Sequence, residues 1–133
     1  MASTYTDLGL ELMATGENAG TWGTKTNANL NLIEQLTGGF ATLSIAGGAG
    51  TQALDIDNGA LTGTAQQRII EFTGSISGNR IITIPNDVET FYILKNSTTG
   101  ANTVQFKYAT GSGASTTFSA TDKGIKIVYA SAS

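Results

Sequence analysis

The carboxylates are the side chains in this sequence that come closest to a catalytic or metal-binding arrangement. Asp55 and Asp57 alternate in the stretch DIDNG at 55–59, so both would point to one side of a strand end. A calcium loop would need further oxygen ligands at the next alternate positions and a distal bidentate glutamate, which this stretch lacks. The pattern therefore favours a turn closed by aspartate side chains over a cation site.

A hydrolytic pair of acids is the other chemistry that ten acidic residues could support. A glycoside-cleaving site needs two carboxyl groups facing each other across a groove, one of them with a pKa raised by burial. Glu71, Asp87 and Glu89 fall at strand or turn positions where nothing indicates burial. The chain has neither histidine nor cysteine, which removes the commonest general base, the commonest metal ligand and thiolate chemistry. We therefore predict no catalytic residues, no metal and no cofactor.

Glycine-rich stretches and basic residues add no phosphate or nucleic-acid site. GGAGT at 47–51 and GSGAS at 111–115 lack the Lys-Ser/Thr ending of a phosphate loop, so both are predicted to be turns. The seven basic residues are scattered and the net charge is −3, so nucleic acid is not an expected partner. Charged residues make up only 13% of the chain, against about 25% in typical domains. A neutral polar surface of this kind is typical of proteins that pack against copies of themselves or a larger assembly.

Most aromatic residues fall on the apolar phase of predicted strands and are expected in the core. Trp22 and Tyr5 are the exceptions, because both lie in an irregular N-terminal stretch. Trp22 is expected either to close one end of the domain as a plug or to anchor the chain in a partner, since tryptophan is a preferred interface residue. The motif NST at 96–98 is predicted to be a turn, because no secretory signal precedes it.

Residues 1–23 form a mixed, glycine-punctuated segment. Leu8, Leu10 and Leu12 follow a period of two, which predicts a strand-like segment that must dock on the rest of the chain or on another protein. The segment lacks a basic start and a continuous apolar stretch, so it is not a signal peptide. No apolar run in the chain approaches the ~20 residues that span a bilayer. We therefore expect a protein made in the cytoplasm that does not enter a membrane.

One helix is predicted over residues 24–37. Thr24 or Thr26 would cap its N-terminus, and two glycines follow its last turn. Its apolar stripe is predicted to comprise Leu30, Ile33 and Leu36, with Leu32 beside them.

From residue 40 onward the pattern changes to short strands. Eight are predicted, over residues 41–46, 52–57, 68–73, 80–85, 90–96, 103–108, 116–119 and 124–130. Alternation, as in Val104, Phe106 and Tyr108 or in Ile125 and Ile127, predicts one buried face and antiparallel pairing. The predicted fold is mainly β: an antiparallel, jelly-roll-like β-sandwich over 40–133, after an N-terminal attachment segment over 1–39 that carries the helix. No internal repeat is evident.

Two stretches of the chain resemble segments of tailed-bacteriophage virion structural proteins, especially those of marine and cyanobacterial phages. Residues 4–35 are similar to an N-terminal pattern close to GE.AGTWG..TN.N...IE. The matching positions are Gly16, Glu17, Gly20, Thr21, Trp22, Gly23, Thr26, Asn27, Asn29, Ile33 and Glu34. Residues 69–113 resemble a module of phage fibre and tail proteins, in which a strand, a TG turn, R.ITIP, an N.TTGA.TV hairpin and a glycine-rich loop follow in order.

The resemblance implies a non-enzymatic, homotrimeric structural part of the virion, either a fibre base or adaptor or a short decoration protein. Its partners would be other virion proteins, of the capsid or of the tail and baseplate. Related modules continue into a shaft, whereas this chain ends at VYASAS, so a decoration protein or an adaptor is expected rather than a long fibre. Attachment would fall to the N-terminal segment, with the candidate residues Leu8, Leu10, Leu12, Trp22, Thr24, Asn27, Asn29, Leu30 and Ile33.

Two other functions stay open at this stage. The loops at 96–102 and 110–115 are small and polar, which would suit a virion module that binds host-surface glycans. A polysaccharide-cleaving enzyme of the particle is the third hypothesis, and it would require the facing acid pair described above.

Overall fold

The computed structural model describes residues 2–111 and 113–132. These residues form one helix and ten strands, which confirms the prediction of a mainly β chain with one helix near its start. The elements are β1 (Thr4–Tyr5), β2 (Glu11–Leu12), α1 (Trp22–Gly38), β3 (Phe40–Ser44), β4 (Gly50–Ala53), β5 (Ile69–Thr73), β6 (Arg80–Ile84), β7 (Glu89–Asn96), β8 (Val104–Tyr108), β9 (Thr116–Phe118) and β10 (Ile125–Ser131).

Six of the strands are arranged as three stacked units, β3–β4, β5–β6 and β7–β8. The first strands of the units pair in parallel, with Phe40 beside Ile69 and Ile69 beside Ile93. The second strands also pair in parallel, with Gly50 beside Arg80 and Arg80 beside Val104. Strands β10 and β9 then add antiparallel to β7 and β8. The result is a first sheet in the order β10–β7–β5–β3 and a second sheet in the order β4–β6–β8–β9.

The sheets are therefore mixed, and the prediction of antiparallel pairing is wrong for β3–β5–β7 and β4–β6–β8. Alternation reports only that one face of a strand is buried. It does not say whether the next strand returns beside it or turns into another sheet. The stacked units place Phe40, Ile69 and Ile93 at equivalent positions, although their spacing along the chain is unequal.

The turns between the two strands of each unit stack tightly on one another. Gly47 N–H donates to the Ser75 carbonyl at 3.0 Å, and Ile76 N–H donates to the Thr99 carbonyl at 2.9 Å. Gly100 has a φ of +106°, and a Cβ there would collide with the Ile76 carbonyl oxygen. Glycine is therefore required at this turn both for its backbone conformation and for the close approach of the next unit.

A single core cluster receives side chains from both sheets. Tyr92 of the first sheet contacts Phe106 of the second edge-to-face, with ring centroids 5.6 Å apart. The Tyr92 hydroxyl donates to the Ala65 carbonyl at 2.7 Å, and burial raises the pKa of this tyrosine above its usual value. Val104, Phe106 and Tyr108 are all buried, which confirms the alternation predicted for β8.

Helix α1 begins at Trp22 and ends at Gly38, close to the predicted 24–37. Its cap residue is Thr21, whose side chain makes no cap hydrogen bond, so the prediction that Thr24 or Thr26 caps the helix is wrong. Its one fully buried residue among those described is Leu32. The predicted stripe is only partly right, because the helix turns Leu32 inward and leaves Leu30 exposed.

The N-terminal segment docks on the rest of the same chain. The buried side chain of Gln66 donates to the Leu8 carbonyl at 2.9 Å, while its Oε1 accepts the Asp57 N–H at 3.0 Å. Asn29 of α1 binds the backbone of Glu11 twice, as acceptor of its N–H and as donor to its carbonyl. The segment and the helix are thus fastened to each other and to the two-sheet body by polar contacts.

Candidate interaction surfaces

The carboxyl groups of Asp55 and Asp57 are held by threonines of the same loop. Asp55 accepts hydrogen bonds from the N–H and the hydroxyl of Thr64, which lower the pKa of its carboxyl group. Asp57 accepts the hydroxyl of Thr62, and the turn at 57–60 is closed by the backbone hydrogen bond from the Ala60 N–H to the Asp57 carbonyl rather than by an aspartate side chain. Among residues 2–111 and 113–132, no group of three or more acidic side chains is arranged to hold a metal ion.

Glu71 lies on the outer face of the first sheet and is paired rather than isolated. It accepts a hydrogen bond from Lys95 Nζ at 2.9 Å and another from the Ser97 hydroxyl at 3.0 Å. These contacts lower the pKa of Glu71. A general acid for glycoside cleavage requires the opposite shift.

The predicted glycan-binding loops are partly structural. Asn96 of the NST motif is fully buried, donates to the Asp122 carbonyl at 2.8 Å and accepts the Thr98 hydroxyl at 2.6 Å. It therefore fastens the turn before β10 to the stack. Thr99, Gly100 and Ala101 are the exposed tip of this loop. Ser112 of the second loop lies outside the described residues.

Three of the predicted attachment residues form an exposed stripe along α1. Trp22 is 63% exposed, Leu30 58% and Ile33 47%, and their spacing places them on one side of the helix. We call these three residues the helix stripe. The plug interpretation of Trp22 is wrong because its side chain is exposed, and the anchor interpretation stays a prediction.

The other predicted attachment residues divide into exposed and structural positions. Leu12 is exposed beside the helix, and Thr24 and Asn27 are exposed on it. Leu8 packs against the core cluster, and Asn29 is committed to the Glu11 backbone. Leu10 is half-buried, and its carbonyl accepts the Thr6 N–H.

An apolar surface that the sequence analysis missed covers the outer side of the first sheet. In strand β10, the exposed fractions of Ile125, Ile127 and Tyr129 are 64%, 73% and 72%. The prediction that Ile125 and Ile127 are buried is therefore wrong. The inward phase of β10 is instead Lys126, Val128 and Ala130. The register aligns the outward residues into rows that cross the sheet. The members of this outer face are Phe40, Ile69, Phe91, Ile93, Ile125, Ile127 and Tyr129.

The signal that could have revealed this surface is that both phases of β7 and β10 are apolar. In β7, Phe91 and Ile93 alternate with Tyr92 and Leu94. A strand with two apolar phases is expected to be covered on both faces. The sequence prediction placed most aromatic residues of the strands in one core, so it did not recognise the apolar residues on the opposite face of the sheet.

The corresponding side of the second sheet is mostly polar. Thr51, Gln105 and Thr117 lie in one row on the phase opposite to the buried Val104 and Phe118, and the half-buried Ile81 is the apolar member of this row. The two sheets therefore share one core but present different outer surfaces, and only the first resembles an interface.

Four charged residues lie on or beside the outer face of the first sheet, and two of them form an ion pair. Lys95 pairs with Glu71, and the Arg68 guanidinium lies over the Phe91 ring at 3.8 Å from its centroid. Arg68 also donates to the Phe91 carbonyl at 2.7 Å. Glu89 lies on the same phase of β7 as Phe91, is exposed and forms no ion pair with a described residue, so the face is apolar and its two positive and two negative charges sum to zero.

Comparisons of the chain with protein-family models, curated protein sequences and solved structures return no match. In the part of the chain that the structure describes, the helix is too short and too polar to cross a lipid bilayer.

Proposed function

We propose that this chain is a non-enzymatic structural protein of a bacteriophage virion, attached to the particle through its N-terminal segment. The observation that carries the proposal is the exposed helix stripe. It lies within the stretch that resembles the N-terminal region of phage structural proteins. Trp and Ile side chains that the folded single chain leaves exposed are typical of surfaces that contact another protein.

The way the segment is held supports an anchoring role. Gln66, Asn29 and Glu11 fix the segment and the helix to the two-sheet body, so the helix stripe is presented on an ordered support. A pre-ordered contact surface loses less conformational entropy on binding than a disordered one.

In this proposal the two-sheet body is a sandwich-like domain displayed by the particle. The chain assembles as a homotrimer, and its partners are capsid proteins or tail and baseplate proteins. It serves as a fibre base or adaptor or as a short decoration protein, and its location is the virion.

Particle incorporation of point variants tests the attachment role. Trp22→Ser combined with Ile33→Ser should strongly reduce the amount of chain recovered with purified particles, because both contacts are removed without touching buried residues. Asn31→Ser, at an exposed position of the same helix, is the matched control and should be incorporated normally. Normal incorporation of the double variant would contradict attachment through the helix stripe.

A further inference from the structure

We infer that the outer face of the first sheet is a self-association surface, occupied by a second copy of this chain. This surface shares no residue with the helix stripe assigned to particle attachment. The inference does not depend on the proposed function, because it concerns the purified chain alone.

The size of the apolar surface supports this inference. Its five most exposed members present together roughly 600 Å², taking about 200 Å² for a fully exposed large apolar residue. Monomeric proteins rarely leave apolar patches larger than a few hundred Å² uncovered. A standard protein interface buries about 800 Å² on each partner, so this surface with its polar rim is large enough for one.

The arrangement of the residues indicates a flat, extended partner. The central row runs from Ile127 through Ile93 and Ile69 to Phe40 and so crosses all four strands. A second row places Tyr129 beside Phe91. A flat sheet face is complementary to another flat sheet face, and two aligned sheets packed in this way interdigitate their side chains.

The charges favour another copy over a charged partner. Lys95 is already paired with Glu71, and Arg68 is engaged with Phe91, so the surface has no uncompensated row of cations. A nucleic acid or an anionic lipid surface would require such cations. Arg68 and Glu89 are the two remaining charges and have opposite signs, so the face carries no net charge and two copies can approach each other without net repulsion.

The mostly polar outer side of the second sheet shows that the fold itself does not require an apolar exterior. Thr51, Gln105 and Thr117 occupy the comparable outward positions there. The exposed apolar residues on the outer face of the first sheet are thus not shared by the outer face of the second sheet.

The mass of the full-length protein in solution, measured by sedimentation or light scattering, tests the inference. The wild-type chain should have at least twice the 13.7 kDa mass of a single chain, and three times that mass in the homotrimer of the proposed function, whereas Ile127→Glu should reduce it to that of a single chain. Thr117→Glu introduces the same charge on the second sheet and should leave the assembly intact. Tyr129→Ser is a milder second variant that should weaken the assembly. Because Ile127 and Tyr129 are exposed, both variants should keep the wild-type circular dichroism spectrum.

Thiol labelling locates the interface independently. The chain contains no cysteine, so Ile127→Cys and Thr117→Cys each introduce a single probe. In the assembled protein the thiol at 127 should react several-fold more slowly than the thiol at 117, and dilution to single chains should abolish the difference.

Three results would overturn the inference. One is a wild-type chain that stays monomeric at high concentration. Another is an assembly that survives Ile127→Glu but dissociates with Trp22→Ser, which would place the contact at the helix stripe. The third is a monomer that binds vesicles of neutral lipid and loses that binding with Ile127→Glu, which would make lipid the occupant.

Discussion

At the scale of single residues, a few buried polar side chains join parts of the chain that are distant in sequence. Gln66 binds Leu8 and Asp57, Asn29 binds Glu11, and Asn96 binds the turn before β10. Each of these contacts gives a backbone group a hydrogen-bond partner within the protein. The N-terminal segment, which contributes little to the apolar core, depends on them.

Glu11 makes this dependence sensitive to pH. Hydrogen bonds from Asn18 and Ser3, together with the charge of Lys25, hold the pKa of Glu11 below its usual value of 4.5. The folded protein therefore favours the ionised carboxylate. Its contribution to stability is present above the pKa of the unfolded chain and is lost as the pH falls through the lower pKa of the folded chain.

We predict that acidification loosens the N-terminal segment and that Glu11→Gln weakens this response. Amide hydrogen exchange of residues 2–20, followed over a series of pH values after correction for intrinsic rates, measures the effect. Glu34→Gln, at an exposed helix position, should behave as the wild type. An unchanged pH response in Glu11→Gln would show that another group controls the segment.

At the scale of elements, the stacked turns determine how the strands pair. In each unit the turn carries the chain from the first sheet to the second. The strands of the next unit then pair in parallel with the strands of the unit before it. Gly100 must adopt a φ of +106° directly against the Ile76 carbonyl.

Gly100→Ala should therefore destabilise the protein by about 3 kcal/mol, from backbone strain and displacement of the neighbouring turn. Denaturant unfolding of the variant measures the loss. Gly16→Ala separates the two causes, because Gly16 also has a positive φ but has open space around it, so it should cost less. Equal losses at both positions would mean that close stacking of the turns contributes nothing.

The sequence predicts the elements better than their arrangement. Alternation correctly identified the buried phase of β8, and the glycine pair correctly marked the end of α1, because both signals are local. The direction of pairing depends on where each turn sends the chain, which the period of two does not encode. The stacking positions Phe40, Ile69 and Ile93 share only apolar character, so their equivalence was not recognised.

At the scale of the whole molecule, the candidate surfaces were predictable only in part. The sequence around Trp22 left two interpretations open, a plug or an anchor in a partner, and only the 63% exposure of the side chain decides against the plug. The outer face of the first sheet was overlooked because its residues have the composition of a core, and only the register shows that they point away from it. Low charge, the exposed helix stripe and the exposed apolar sheet face together support the proposal that the chain assembles with other proteins.

The most direct test of this account is electron microscopy of purified phage particles labelled with an antibody against this chain. The account predicts label on the particles, over the capsid for a decoration protein or confined to the tail for a fibre base or adaptor. Particles that carry no label, and in which mass spectrometry detects no peptide of this chain, would contradict the proposal that it is a structural protein of the virion.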